Sequence, residues 1–320
     1  MLAYVYSSGG FAWTDRAPLP NDPAPGEVTV EVRAAAVNPV DYKKADLLPS
    51  FLLGGRPAAQ DFAGVVTASS SPAFAVGDAV FGTARGCLAQ RVTASCVARL
   101  PAGLTFAQGA SLATVALTGL QALRAGGLGP GGRCVVVGAS GGCGSAGVQL
   151  ARSIVGAAGV VVGVCSASSA PLVAGLGACT EVLSYDALAP AELEAALARL
   201  GPFDVAYDTV SSWERSDAAP GGAPWGAVLR RALAAGGTLV AINGTFSDWA
   251  WALLGWQARG YRLVMQKPNV ADLGHTATLV EGKQLAVVID SKFPFSEQGC
   301  ADAYARQRSR RAKGKVVVEM

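Results

Sequence analysis

Charge is scarce in this sequence. Only 15% of its 320 residues are Asp, Glu, Lys or Arg, against roughly 25% in soluble domains at large. A net charge of +3 spread over that length gives no field that would gather nucleic acid, so none is expected as a partner. Histidine is nearly missing: His275 is the single one. The seven cysteines include no CxxC pair, so a Cys/His zinc site has little to build on. They read instead as reduced thiols acting as small hydrophobes in a reducing compartment. Long apolar runs are absent too. Mean hydropathy is high, at +0.35, yet no stretch reaches the roughly 18 residues that a membrane span needs. The best candidate, residues 154–165, is rich in Gly and Ala and reads as a buried element. The opening MLAYVYSSGG has neither a basic start nor a long apolar core, so no secretory signal is expected. It also lacks the Arg/Ser-rich look of a transit peptide.

What is present is apolar residue and glycine. At 51% apolar, the chain has ample surface to bury and is not disordered. Its length suits two domains. The 40 glycines follow no collagen period and point to tight turns and close backbone approaches. The first hundred residues read as short strands, such as Glu27–Ala36 and Phe62–Ala68. Turn signals separate them: Pro23 to Gly26, Leu53 to Arg56, Val76 to Asp78. Such spacing predicts a small barrel or sandwich. Residues 106–123 read as one helix. From Arg133 strands and helices alternate, predicting βαβ units and a parallel sheet with helices on both faces. Strands are expected at 134–137, 160–164, 181–183, 205–207 and 238–242, with a helix at 227–235. The last segment returns to the first style, with a strand at 286–289 and another at 316–318.

One motif stands out. Val135-Val-Val-Gly138-Ala-Ser-Gly141-Gly142-Cys143-Gly144-Ser-Ala-Gly147 follows the first strand of the alternating region. Two glycine registers overlap, and the one starting at Gly138 puts its glycines directly at the strand end. A strand before, a helix after and a βαβ unit around it predict dinucleotide binding, with the pyrophosphate at the helix N-terminus. No acidic residue lies between Ser145 and Thr180, where an NAD site usually keeps one for the ribose hydroxyl. Ser166, Ser168 and Ser169 end the second strand instead and would tolerate a 2′-phosphate. NADPH is the expected cofactor, although no Lys or Arg lies between Ile154 and Ala198.

Further segments match a known pattern in order and spacing. They are Val37-Asn38-Pro39-Val40-Asp41-Tyr42-Lys43, Gln60-Asp61-Phe62-Ala63-Gly64, Val76-Gly77-Asp78, Leu117-Thr118-Gly119, Lys267-Pro268-Asn269 and Lys313-Gly314-Lys315-Val316. With these the chain resembles the zinc-independent quinone oxidoreductase branch of the medium-chain dehydrogenases/reductases over nearly its whole length. Within that branch it resembles chloroplast-envelope quinone oxidoreductase homologues and alkenal/enone reductases. The resemblance implies an α/β protein in which a GroES-like β-rich catalytic domain, 1–115 and 266–320, carries an inserted Rossmann domain, 116–265, with a doubly wound parallel sheet. Zinc-dependent relatives have Cys at Asn38 and Gly-His-Glu at Ala59-Gln60-Asp61, so no metal is expected here.

What the resemblance implies chemically is metal-free reduction by NADPH, with hydride passing to the β-carbon of an enone or enal, or to a quinone. Negative charge then grows on a carbonyl oxygen and needs donors in place. Lys43 and Asn38, on the loop after the first long strand, are the expected catalytic residues, and both are expected to touch the cofactor. Lys43 would contact the cofactor or stabilise an enolate, and Asn38 would serve as an orienting amide. The resemblance extends the cofactor set to Thr118, Ser140, Gly141, Gly142, Cys143, Gly144, Ser166, Ser169, Tyr185, Val210, Asn243, Gly244 and Lys315, with Thr209 beside Val210. It also implies a homodimer and a cytoplasmic or chloroplast (envelope or stroma) setting. The competing reading is a non-catalytic NADPH-binding sensor or scaffold.

Some features fall outside this picture. His275 reads as structural, and Cys143 as loop filler. Trp249, Trp251 and Trp256 concentrate three of the six tryptophans; core packing or a dimer contact is the first expectation, pocket lining the second, peripheral membrane contact the third. Phe51, Phe246 and Trp249 are expected on the variable loops that shape the pocket. Six cations between Arg306 and Lys315 read as a solvated helix face followed by a turn.

Overall fold

The computed structural model describes residues 1–48, 50–211 and 218–320, and for residues 50, 246 and 247 the backbone alone. The chain forms two compact units. One comprises residues 1–114, 268–283 and 287–320; the other, residues 115–267 and 284–286.

In chain order, the first unit opens with the hairpin β1 (Ala3–Ser7) and β2 (Gly10–Thr14). Next come β3 (Val28–Val37), α1 (Pro39–Leu47), α2 (Ser50–Leu53), β4 (Asp61–Ser69), β5 (Ala79–Thr83), β6 (Arg91–Ala94), β7 (Cys96–Arg99) and α3 (Phe106–Ala110). Helix α4 (Ala113–Ala125) leads into the second unit. That unit holds β8 (Arg133–Val137), α5 (Gly142–Val155), β9 (Val160–Cys165), α6 (Ala170–Gly175), β10 (Glu181–Ser184), α7 (Pro190–Leu200) and β11 (Phe203–Asp208). It ends with α8 (Trp225–Arg231), β12 (Leu233–Ala241), α9 (Phe246–Leu253) and β13 (Tyr261–Leu263). The chain returns to the first unit as α10 (Val270–Glu281), β14 (Ile289–Pro294), α11 (Glu297–Arg308) and β15 (Lys315–Glu319).

The sheet of the first unit runs β14-β15-β3-β4-β5-β7, with β6 also on β3. Its pairs are antiparallel except β14 with β15. Strand β3 alternates in its first half, as its sequence predicts: Glu31 and Arg33 face outward and pair at 3.1 Å. Its second half, Ala34 to Val37, is wholly buried. The register Val316↔Val37 lays β15 beside the end of β3. This pairing brings residue 315 to residue 38, although 277 positions separate them.

The second unit is a parallel sheet of order β10-β9-β8-β11-β12-β13. Counted from β8, that is 3-2-1-4-5-6, the doubly wound order. Such sheets bind ligands where the winding reverses, here beyond the carboxyl ends of β8 and β11. Val135, Val136, Val161 and Val162 are fully buried; both faces of the sheet are covered, hence the unbroken β-branched runs. No helix among the described residues is long and apolar enough to cross a membrane.

Four local expectations change. The helix expected over 106–123 is two, because Ser111 turns its hydroxyl back to the Ala107 carbonyl at 2.8 Å and ends α3. Asn38 and Lys43 are not on a loop: Pro39 starts α1, its fixed φ suiting the first helical position. The helix expected to reach Ala235 stops at Arg231, and β12 begins at Leu233. The strand expected at 286–289 lies later, at Ile289–Pro294, because the Ala286 N–H and carbonyl are taken by the Gln149 amide.

Candidate functional site

Asn38 caps α1, and its side chain turns into the first unit. Its Nδ2 donates to Asp61 Oδ2 at 2.9 Å, and its Oδ1 accepts from Lys315 Nζ at 2.5 Å. Lys315 Nζ also donates to the Val37 carbonyl and to Asp61 Oδ2, each at 3.2 Å. An ammonium has three N–H bonds, and all three are used. Asp61 is fully buried and saturated: its Oδ1 accepts from the Thr114 N–H at 3.0 Å and from Thr114 Oγ1 at 2.6 Å. Asp41, also buried, reaches back to the Asn38 N–H at 2.8 Å, one half of a capping box. It also accepts from the Tyr304 hydroxyl at 3.4 Å, whose ring stacks on Phe11 with centroids 4.2 Å apart.

Two carboxylates and one ammonium are therefore shut in together. Burial pushes the Asp41 carboxyl up to about 7, against the pull of the Asn38 N–H and Lys315 and with the repulsion of Asp61. Lys43 lies five residues past the cap, half-buried on α1. Arg308 clamps the same helix, with two bonds of 2.7 Å to Asp46 and its guanidinium over the Tyr42 ring. Arg306 likewise holds Asp290 at 2.6 and 2.7 Å. The cations of residues 306–315 are thus not simply a solvated face.

The glycine turn in the second unit is built by exclusion. Gly138 has φ +77°, a conformation that side chains rarely adopt, and a Cβ there would lie 2.5 Å from Thr209 Oγ1 and 2.6 Å from Val210 Cγ2. At Gly144 a Cβ would overlap the Gly138 carbonyl, and at Gly147 it would lie 2.8 Å from the Tyr207 ring. At Gly141, the N-cap of α5, a Cβ would sit at ordinary contact, 3.5 Å from the Gly138 carbonyl. Gly138 and Gly144 thus keep side chains out of the turn, and Gly147 keeps one out where α5 meets Tyr207. Residues 140–143 stay partly accessible at the start of a 14-residue helix. Helix N-termini attract anions, so this cradle suits a diphosphate. Thr209 anchors the roof, its hydroxyl donating to the Val137 carbonyl at 2.7 Å. Beside it, Asp208 Oδ1 accepts from the N–H groups of Val210 and Ser211, each at 2.9 Å. The Tyr207 hydroxyl is buried and has no hydrogen-bond partner among the described residues.

At the end of β9 the Ser166 hydroxyl bonds Ser169 at 3.0 Å and Ser168 at 3.2 Å. Ser169 is buried. Tyr185 packs edge-on to Trp225. Asp186, which sequence reasoning passed over, accepts from the Ala167 N–H at 2.6 Å and so brings a carboxylate to this end. Thr118 is buried in α4, Asn243 is half-buried, and Gly244 packs under Asp248 and Leu263. Sequence reasoning also missed Thr114 and Tyr304 and noticed Asp61 only as a replacement. Nothing local to these three residues signals their part.

Residues 24–123 match the alcohol dehydrogenase GroES-like domain family, and residues 176–318 the zinc-binding dehydrogenase family. The trans-enoyl reductase pgmF of Aspergillus terreus is 31% identical over 99% of this chain and 94% of its own length. The chain belongs to the medium-chain dehydrogenase/reductase superfamily of oxidoreductases. Within that superfamily, the quinone-oxidoreductase homolog, chloroplastic, of Spinacia oleracea is 30% identical over 93% of this chain and 91% of its own. In fold this medium-chain dehydrogenase/reductase is similar to the mycobacterial Rv1454c, solved in complex with NADPH (TM-score 0.76, 22% identity, all of both chains covered).

The zinc in one family description does not fit the side chains here. Among the described residues no three of His, Cys, Asp and Glu converge as a metal site. Asp61 is already committed to Lys315, Asn38 and Thr114. Cys87 is buried, its thiol pushed well above the usual range by burial and by Asp61, and His275 is exposed on α10. None of the seven cysteines is in a disulfide, and five of them are buried. Trp251 and Trp256 are 49% and 69% exposed and stack on each other at 5.6 Å. They are not core: α9 turns Trp251 to solvent, and Trp256 follows in the exposed turn after the helix. The Phe246 side chain lies outside the described residues, and Phe51 is 84% exposed.

Proposed function

We propose that this medium-chain dehydrogenase/reductase is an NADPH-dependent reductase of α,β-unsaturated carbonyl compounds or quinones that works without a metal. The observation that carries the reading is the Gly138–Gly144 turn: at Gly138 and Gly144 no side chain fits, which leaves bare backbone and a helix N-terminus for a diphosphate. NADPH, when bound, supplies the hydride. Residues 116–265 form the proposed cofactor domain, and residues 1–115 with 266–320 the catalytic domain.

Within this reading the N–H groups and side chains of residues 140–144 bind the diphosphate, and Thr118, Val210, Asn243 and Gly244 border the nicotinamide half. Ser166, Ser169 and Tyr185 serve the 2′-phosphate end. Lys43 presents a positive charge to the oxygen on which charge develops. Asn38 orients α1, which bears Lys43. Solvent protonates the enolate, so no strong general acid is required. The fully engaged Asp61–Lys315 pair, with no converging set of ligands among the described residues, supports metal independence. One observation favours NADH as coenzyme instead: the Asp186 carboxylate beside Ala167. We propose a homodimer, which the exposed Trp251, Leu253 and Trp256 support as a face that is covered in use.

The test is a panel of quinones, short enones and long enones, each with NADPH and NADH, with and without a chelator. Turnover with NADPH, indifferent to the chelator, is expected. If calorimetry detects no binding of either coenzyme, the reading falls; if NADH alone is used, the Asp186 reading replaces it.

A further inference from the structure

We infer that Lys315 is a positioning residue: its ammonium ties Asn38 and Asp61 together and so fixes the start of α1, the helix that carries Lys43. The geometry permits little else for this side chain. It is 5% exposed, and its three N–H bonds go to Asn38 Oδ1, the Val37 carbonyl and Asp61 Oδ2. None is left for a phosphate or a substrate oxygen. The backbone around it is built for this entry. Gly314, at φ +101°, lets the chain turn inward under Val288, and the Lys315 N–H bonds the Val288 carbonyl at 2.9 Å. The β15–β3 register then delivers the ammonium to the last residues of β3.

The consequence reaches α1 through a single amide. Asn38 Oδ1 is spent on the ammonium and Nδ2 on Asp61, so the rotamer is pinned from both ends. A helix cap normally turns its side-chain oxygen onto the first turn. Here that oxygen is bonded by Lys315, and the Asn38 N–H is held by the Asp41 carboxylate of the helix's own first turn. Remove Lys315 and Asn38 Oδ1 is released, while Asp61 keeps a buried charge with no cation. The start of α1 then has two arrangements where it had one, and Lys43 is no longer held in place.

The role of Lys43 belongs to the proposed function; the tie between Lys315 and α1 does not. The test therefore reads both. Lys315→Ala is compared with the wild type by hydrogen exchange, NADPH affinity and steady-state kinetics, with and without n-propylammonium. Amides of 40–47 are expected to exchange about tenfold faster while those of β8 and α5 keep the wild-type rate. With NADPH affinity within about twofold, kcat should fall about tenfold. n-Propylammonium should restore both, and tetramethylammonium, which has no N–H, neither. Should Lys315→Ala fail to fold, the charge-neutral pair Asp61→Asn/Lys315→Met takes its place and should show the same fast α1. Unchanged α1 exchange in a folded variant overturns the inference. So does a loss of NADPH affinity with kcat intact, which would make Lys315 a cofactor contact. If the wild type turns over no enone or quinone, the proposed reaction fails while exchange and its rescue still decide the tie.

Discussion

Around Asn38 the first unit packs charge into its interior, whereas around Gly138 the second unit works by leaving side chains out. In the first, Asp41, Asp61 and Lys315 are each at most 5% exposed, and every donor of the ammonium is matched by an oxygen. In the second, a methyl group at position 138 or 144 would collide with the turn itself. The difference teaches where each region is vulnerable. A charge network fails when one partner goes, because the others cannot regain water. A backbone cradle fails when anything is added.

Deleting a partner should therefore cost the first unit most. Asp61→Ala leaves Lys315 buried without its anion and Thr114 without its acceptor, and about 3–5 kcal/mol of stability is expected to go, read by urea unfolding. A loss under about 1 kcal/mol would mean that water already reaches the cluster. Next in size is an addition to the cradle. Gly144→Ala is expected to weaken NADPH binding about 100-fold by calorimetry, and near-wild-type affinity would sever the turn from the cofactor.

The pH dependence comes third. Asp41 sits at about 7 in the fold against an ordinary 3.8. Between those values the folded protein keeps a proton that the unfolded chain has lost. Stability contributed below pH 4 is thus given up as pH rises toward 7, and the curve flattens above it. Asp41→Asn keeps acceptors for Asn38 and Tyr304 but cannot titrate, so this slope, a few kcal/mol at most, should vanish from thermal melts between pH 5 and 8. A slope that survives the substitution belongs to another group. Smaller again is Lys43→Met, expected to lower kcat about tenfold and to change stability by less than about 0.5 kcal/mol. The smallest effect is that of Asp186→Asn, which should tighten NADPH a few-fold relative to NADH by easing repulsion at the ribose end; a shift toward NADH would reverse its assigned sense.

The same contrast decides what could be read from residues alone. The glycine turn was legible because its parts are contiguous: Gly138 to Gly147 all lie within one strand–turn–helix. The alternating strands of the second unit were legible for a similar reason, since burial on both faces writes itself as β-branched runs. The cluster around Asn38 was not. Its bonds span 23, 254 and 277 positions, and a lysine near residue 315 looks like any other surface cation until β15 is laid on β3. Helix α1 was hidden by its own start, where Asn38-Pro39 reads equally as a turn or as a cap with proline at the first helical position. The break between α3 and α4 rests on one serine hydroxyl, which no periodicity reveals.

The place of β15 in the sheet has a consequence for biosynthesis. Strand β3 is translated more than 200 residues before one of its sheet neighbours, residues 315–319. Until the ribosome has delivered them, a hydrogen-bonding edge of the nascent sheet stands open. Asp61 likewise waits 254 residues for its counter-ion. The second unit, whose strands run consecutively, meets no such delay. Ribosome-bound chains should accordingly complete the inserted sheet before the sheet that holds β3 and β15.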